Sequence, residues 1–114
     1  MENTTKHFDL EELRDKLDND EPFIREFLAM LSDELTTCLT NLKNQVNNKN
    51  MEGIRNASHR IKGSALNACF PNLGKLGASL EKLPNPTPEK IADLASQIEN
   101  EIALVKITIK DYLK

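Results

Sequence analysis

Residues 21–46, EPFIREFLAMLSDELTTCLTNLKNQV, decide the fold. Ile24, Phe27, Leu28, Leu31, Leu35, Cys38, Leu39, Leu42 and Val46 keep helical spacing from end to end. That rhythm puts them on one side of a single long helix, and an apolar stripe of this length has to be buried against other helices. Asp20 stands where a carboxylate can accept from first-turn amides, and Pro22 is tolerated there because those amides have no intrahelical partner. The run Asn47-Asn48-Lys49-Asn50 is loop chemistry and ends the helix.

Upstream, Leu10, Leu13 and Leu17 repeat at helical spacing behind a polar leader, residues 1–7, with Asp9 as the cap of a short first helix. Downstream, a third helix is predicted from about Met51 to Cys69, with Ile54, Ala57, Ile61, Ala65 and Ala68 on its apolar face. These residues are small, so a neighbour can pack close. Phe70-Pro71 stops this helix, because a residue before proline is pushed out of the α region. Pro71 then opens a fourth helix carrying Leu73, Leu76, Leu80 and Leu83. Gly74 and Gly77 lie inside it, each costing about 1 kcal/mol against alanine, which points to close backbone contact with the third helix.

The run Pro84-Asn85-Pro86-Thr87-Pro88 is a rigid break, with Thr87 capping a last helix whose first residue is Pro88. Ile91, Leu94, Ala95, Ile98, Ile102, Val105, Ile109 and Tyr112 form its stripe, while Leu104 and Ile107 fall off it. No repeat, low-complexity tract or strand pattern is present. The expected fold is all-α: one domain over residues 1–114, an antiparallel four-helix bundle with a short N-terminal helix capping one end.

Composition narrows the function. With 15 Lys+Arg against 18 Asp+Glu the net charge is −3, which argues against a general nucleic-acid binder. The two cysteines, Cys38 and Cys69, form no Cys-x-x-Cys pair and read as reduced thiols. No apolar run approaches the roughly 20 residues that span a bilayer, and the leader lacks a signal-peptide core. A cytoplasmic protein is expected, and Met1 favours one that stands alone over a domain cut from a longer chain. Nucleotide-binding glycine loops, the His-Glu-x-x-His metal motif and paired Glu-x-x-His motifs are all absent from the sequence.

Two histidines remain. His7 lies in the polar leader and reads as a solvated surface residue. His59 lies mid-helix, off the core face, with Arg55, Lys62, Gly63 and Leu66 as its helical neighbours. Neutral imidazole is a nucleophile near neutral pH, and a phosphoryl group arriving on it brings negative charge that Lys62 can stabilise. Gly63 removes a side chain that would crowd the incoming group or a partner. No Asp or Glu occurs between Gly53 and Leu80, while Arg55, Arg60, Lys62 and Lys75 are basic, so an acidic protein keeps one basic stretch around His59.

The segment Ser58-His59-Arg60-Ile61-Lys62-Gly63-Ser64-Ala65 resembles the signature of histidine-containing phosphotransfer (HPt) domains, His-x-x-Lys-Gly followed by small residues. Leu80-Glu81 is similar to the family's Leu-Glu or Leu-Gln pair on the next helix. The resemblance implies a helical carrier of multistep two-component phosphorelays. His59 would take the phosphoryl group on Nε2, Lys62 would steady its charge, Gly63 would give access, and Glu81 would orient the ring through Nδ1. It also implies a carrier rather than a kinase, without a cofactor or metal of its own, with Mg²⁺ held by the receiver domain that docks on it. Expected partners are response-regulator receivers and a hybrid sensor histidine kinase, with no nucleic acid and no membrane, and the protein itself a monomer. One departure is Cys69, where many members have glycine; a packing role suits cysteine there better than a positive φ. Two other readings compete: a receiver-binding module that transfers nothing, and a bundle that dimerises through Leu104 and Ile107.

Overall fold

The computed structural model describes residues 7–114, so the expected leader lies outside the described residues except for His7. Five helices follow one another: α1 (Leu10–Lys16), α2 (Glu21–Asn47), α3 (Met51–Asn67), α4 (Pro71–Glu81) and α5 (Pro88–Leu113). Side-chain oxygens cap four of them. Asp9 accepts from Glu12 N, Asp20 from Phe23 N, Asn50 from Gly53 N, and Thr87 from Lys90 N. Each satisfies an amide that the helix itself leaves unpaired. The fourth helix starts without such a cap, behind Phe70, with Pro71 in its first turn.

In the bundle α2 packs on α3, α3 on α4, α4 on α5, and α5 returns to α2, while α1 rests on α2. The stripes meet inside: Ile24, Leu28, Leu35, Leu42, Ile61, Leu73, Leu80, Ile98 and Val105 are fully buried. α2, of 27 residues, runs the length of the molecule, about 40 Å at 1.5 Å per residue, matching the long dimension of 42 Å. Leu104 and Ile107, off the α5 stripe, remain 51% and 57% exposed.

The third helix is shorter than its periodicity suggests. It ends at Asn67, and Cys69 takes φ 62°, the left-handed region. Cys69 N donates to Leu66 O at 3.2 Å and Phe70 N to Ala65 O at 2.9 Å, the paired reversed bonds of a Schellman turn. Cys69 therefore does what glycine does at such a position, and does so buried, at 4% exposure. The expectation of a packing role without positive φ is corrected: both hold, because closing the turn demands the conformation and the thiol is small enough to be covered.

His7 is also corrected. It is not a free surface group. Its Nδ1 lies 2.8 Å from Glu101 Oε2, its Nε2 2.7 Å from Thr108 Oγ1, and its ring edge faces Phe70. Phe8 stacks on the same Phe70, and Asp9 N donates to Cys69 O at 2.8 Å. The chain ahead of α1 thus ties α5 to the α3–α4 turn. Glu101, 7% exposed, needs a partner of this kind, and no sequence periodicity could place a residue 94 positions away beside it.

Glycine explains the closeness of α3 and α4. A Cβ on Gly77 would stand 3.0 Å from Lys62 N and 3.1 Å from Ser58 O, both backbone atoms that cannot swing aside. At Gly74 it would instead meet the Leu66 side chain, so the backbone contact expected of both glycines belongs to Gly77. Gly77→Ala should cost about 1–3 kcal/mol in denaturant unfolding, because overpacking must push the helices apart. Lys49, exposed at the α2–α3 turn with φ 54°, offers the opposite case. Lys49→Gly should raise stability by roughly 0.5–1 kcal/mol, and a lower melting temperature would contradict that account.

Candidate functional site

His59 lies in the middle of α3 because the stripe through Ile54, Ala57, Ile61 and Ala65 faces the core. One residue before it, Ser58 is fully buried and donates Oγ to Ile54 O at 2.7 Å. His59 points the other way, with 64% of its side chain exposed. The close α3–α4 contact at Gly77 brings the end of α4 alongside, and with it Glu81.

Glu81 bridges two groups of α3. Its Oε2 lies 2.8 Å from His59 Nδ1, and its Oε1 lies 3.0 Å from Lys62 Nζ. Oε1 is closed off from solvent and has no aligned hydrogen-bond donor, so Lys62 meets it as an ion pair. The Lys62 ammonium, and after it the His59 ring, hold the Glu81 carboxyl below its usual range against the opposing effect of burial. An ionised carboxylate can only accept. His59 Nδ1 must therefore carry the proton it donates, and in the neutral ring the lone pair sits on Nε2. Nε2 has no hydrogen-bond partner among the described residues. The two histidines are thus chemically unlike, since both nitrogens of His7 are engaged.

The structure brings His59, Lys62 and Glu81 together, with Gly63 one turn from the imidazole. A Cβ on Gly63 would meet nothing within 4 Å. Nothing among the described residues requires glycine there, in contrast with Gly77. Spacing along α3 suggests that Lys62 faces an incoming charge directly; in the folded chain its side chain is 22% exposed and its ammonium rests on Glu81. Sequence spacing could not show this, because Glu81 reaches Lys62 from another helix.

The basic stretch is also less free of acid in space than in sequence. Glu34 on α2 accepts a hydrogen bond from Ser64 Oγ at 2.6 Å. Beside it, Phe27, Met30, Leu31, Ser64 and Asn67 line a cleft of about 180 Å³. Met30, 67% exposed, adds apolar surface at this cleft, while Leu66, 50% exposed, lies toward Gly74 of α4. Cys38 and Cys69 are free, and burial pushes both thiols up, which disfavours the reactive thiolate. Among the described residues no cluster of His, Cys, Asp or Glu is placed to hold a metal ion, and no helix is long and apolar enough to cross a membrane.

Gly63→Ala should stabilise the free protein by up to about 1 kcal/mol, since helix propensity improves at no steric cost; a measurable loss of stability would mean that the fold itself needs this glycine. Because Glu81 is held below the ordinary carboxyl value, its contribution to stability is present above that value and lost as pH falls through the depressed one. Melting curves of wild type and Glu81→Gln should accordingly differ near neutral pH and converge in acid, and a constant gap would contradict the bridge. The family model described as Hpt domain matches residues 26–108. No curated protein and no solved structure matches the chain.

Proposed function

The chain belongs to the Hpt domain family, and from that premise we propose that it is a phosphorelay carrier with His59 as its phosphoryl acceptor. The observation that supports this most is the state of the His59 ring: solvent-exposed, with Nδ1 bound to a carboxylate and Nε2 open. The family implies phosphotransfer between receiver domains of two-component systems. The partners of this chain are then response-regulator receivers, with a hybrid sensor histidine kinase as a source.

The step balances with the groups at hand. The Nε2 lone pair attacks the phosphorus of a receiver's phospho-aspartate. The N–P bond forms, the P–O bond to the aspartyl carboxyl breaks, and that carboxylate leaves with the electron pair. Nδ1 keeps its proton, so the ring becomes cationic while it donates to Glu81, and the carboxylate stabilises the charge that develops. Lys62, one turn from His59 and already in the site, can turn its ammonium from Glu81 towards the phosphoryl oxygens. Gly63 leaves room for the receiver. Mg²⁺ in this reading belongs to the receiver, where it shields phosphoryl charge. The protein is then a carrier and not an autonomous kinase, acting as a monomer in the cytoplasm where receivers work.

Cys69 bears on the alternative, a module that binds receivers without transfer. Divergence would be suggested by cysteine in place of glycine, but Cys69 closes the same turn that glycine would. The two readings separate in one assay. Incubation with a phosphorylated receiver should give acid-labile label on wild type and none on His59→Gln; equal labelling of both contradicts the proposal. Lys62→Ala should slow transfer roughly tenfold while leaving the fold intact, and an unchanged rate removes Lys62 from the mechanism.

A further inference from the structure

Among the described residues, Glu34 is the acidic side chain fastened to the α2-facing shoulder of α3 beyond His59. Its Oε2 accepts the Ser64 hydroxyl at 2.6 Å, a short bond of the charge-assisted kind. It has no cationic partner among the described residues. The fold does not need it for stability, since the residue is exposed and the core beneath is closed by Leu31 and Leu35. A long acidic side chain ordinarily loses rotamer freedom when it pairs with a partner, and this one has already been ordered by Ser64.

Its position relative to His59 follows from helix geometry. Ser64 is five residues along α3 from His59, roughly 7 Å of axial rise. Glu34 is one helix to the side, on α2, roughly a further 8–10 Å at the usual interaxial distance. A docked domain covers about 800 Å² of each partner, a patch roughly 28 Å across. Glu34 therefore falls inside a footprint of this size centred on Nε2 of His59, on the α2 side. Beyond Glu34 along α2 lies apolar surface, with Met30 exposed and the small cleft lined by Phe27, Met30 and Leu31 beside Asn67 of α3. Arg55 and Arg60 flank His59 itself, both exposed. Arg60 lies on the α2 side, one turn before Ser64, so the charge runs from basic at His59 and Arg60 to acidic at Glu34 beside the cleft.

We propose that Glu34 is a specificity-determining residue, selecting a receiver that presents a Lys or Arg beside an aliphatic side chain. The aliphatic group fills the cleft and the cation meets the waiting carboxylate, while the receiver's acidic phosphorylation pocket lies over His59. The opposed charges fix the register of docking and disfavour receivers with an acid at that position. This assignment rests on the carrier reading and names the chemistry of its partner.

The test uses the full chain and a panel of purified receiver domains loaded with acetyl phosphate. Transfer from the receiver that labels wild type fastest is followed against receiver concentration. Glu34→Lys should raise KM roughly fivefold or more, with the change in KM rather than kcat. Glu34→Asp should recover most of that loss, because charge is restored. Added salt should weaken docking of wild type more than of Glu34→Gln. Ser64→Ala, which frees the carboxylate, should raise KM by a smaller factor. A KM unchanged by Glu34→Lys overturns the assignment and leaves the carrier reading standing. A panel in which no receiver labels wild type contradicts the carrier reading itself.

Discussion

A Cβ added to residue 77 would stand 3.0 Å from the backbone nitrogen of Lys62, and most of the site depends on that closeness. Two helices in ordinary contact are held apart by their side chains at about 8–10 Å. Where glycine removes the spacer, backbone meets backbone. Glu81, one turn further along α4, then reaches Nδ1 of His59 and Nζ of Lys62 at once. The helix-propensity penalty of Gly77 is exchanged for a carboxylate held against two groups of α3. Gly63 carries the same penalty and meets no neighbour, so its use is sought outside the chain.

The electrostatics follow from this packing. Lys62 keeps Glu81 ionised, an ionised Glu81 can only accept, and an accepting Glu81 leaves the proton on Nδ1. Each step is local and the result is directional: the free lone pair of His59 points to solvent. His7, the other histidine, shows what the same side chain does as a structural residue. Both its nitrogens are tied to α5, and it pins the chain ahead of α1 to the bundle.

Much of the fold is legible in the residues themselves. The stripe from Ile24 to Val46 and the caps Asp9, Asp20 and Thr87 place helices where they occur, because capping and amphipathic period are local properties. His59, Lys62 and Gly63 are legible for the same reason, lying within one turn of each other. What sequence does not reveal involves residues distant along the chain. The acid-free stretch from Gly53 to Leu80 suggests a purely basic face, yet Glu34 and Glu81 enter it from α2 and α4. His7 reads as solvated because Glu101 and Thr108 lie on the last helix. Cys69 is unsuited to a left-handed turn by propensity alone, and the reversed bonds from Cys69 and Phe70 outweigh that preference.

Phosphotransfer through this site requires one particular nitrogen of one particular histidine to be the nucleophile. Nitrogen-15 NMR of the protein before and after phosphorylation by a receiver reports this directly. The prediction is an Nδ1-protonated His59 ring at rest, phosphorus coupled to His59 Nε2 afterwards, and an unchanged His7. Phosphorus on Nδ1 of His59, or on His7, would contradict the account.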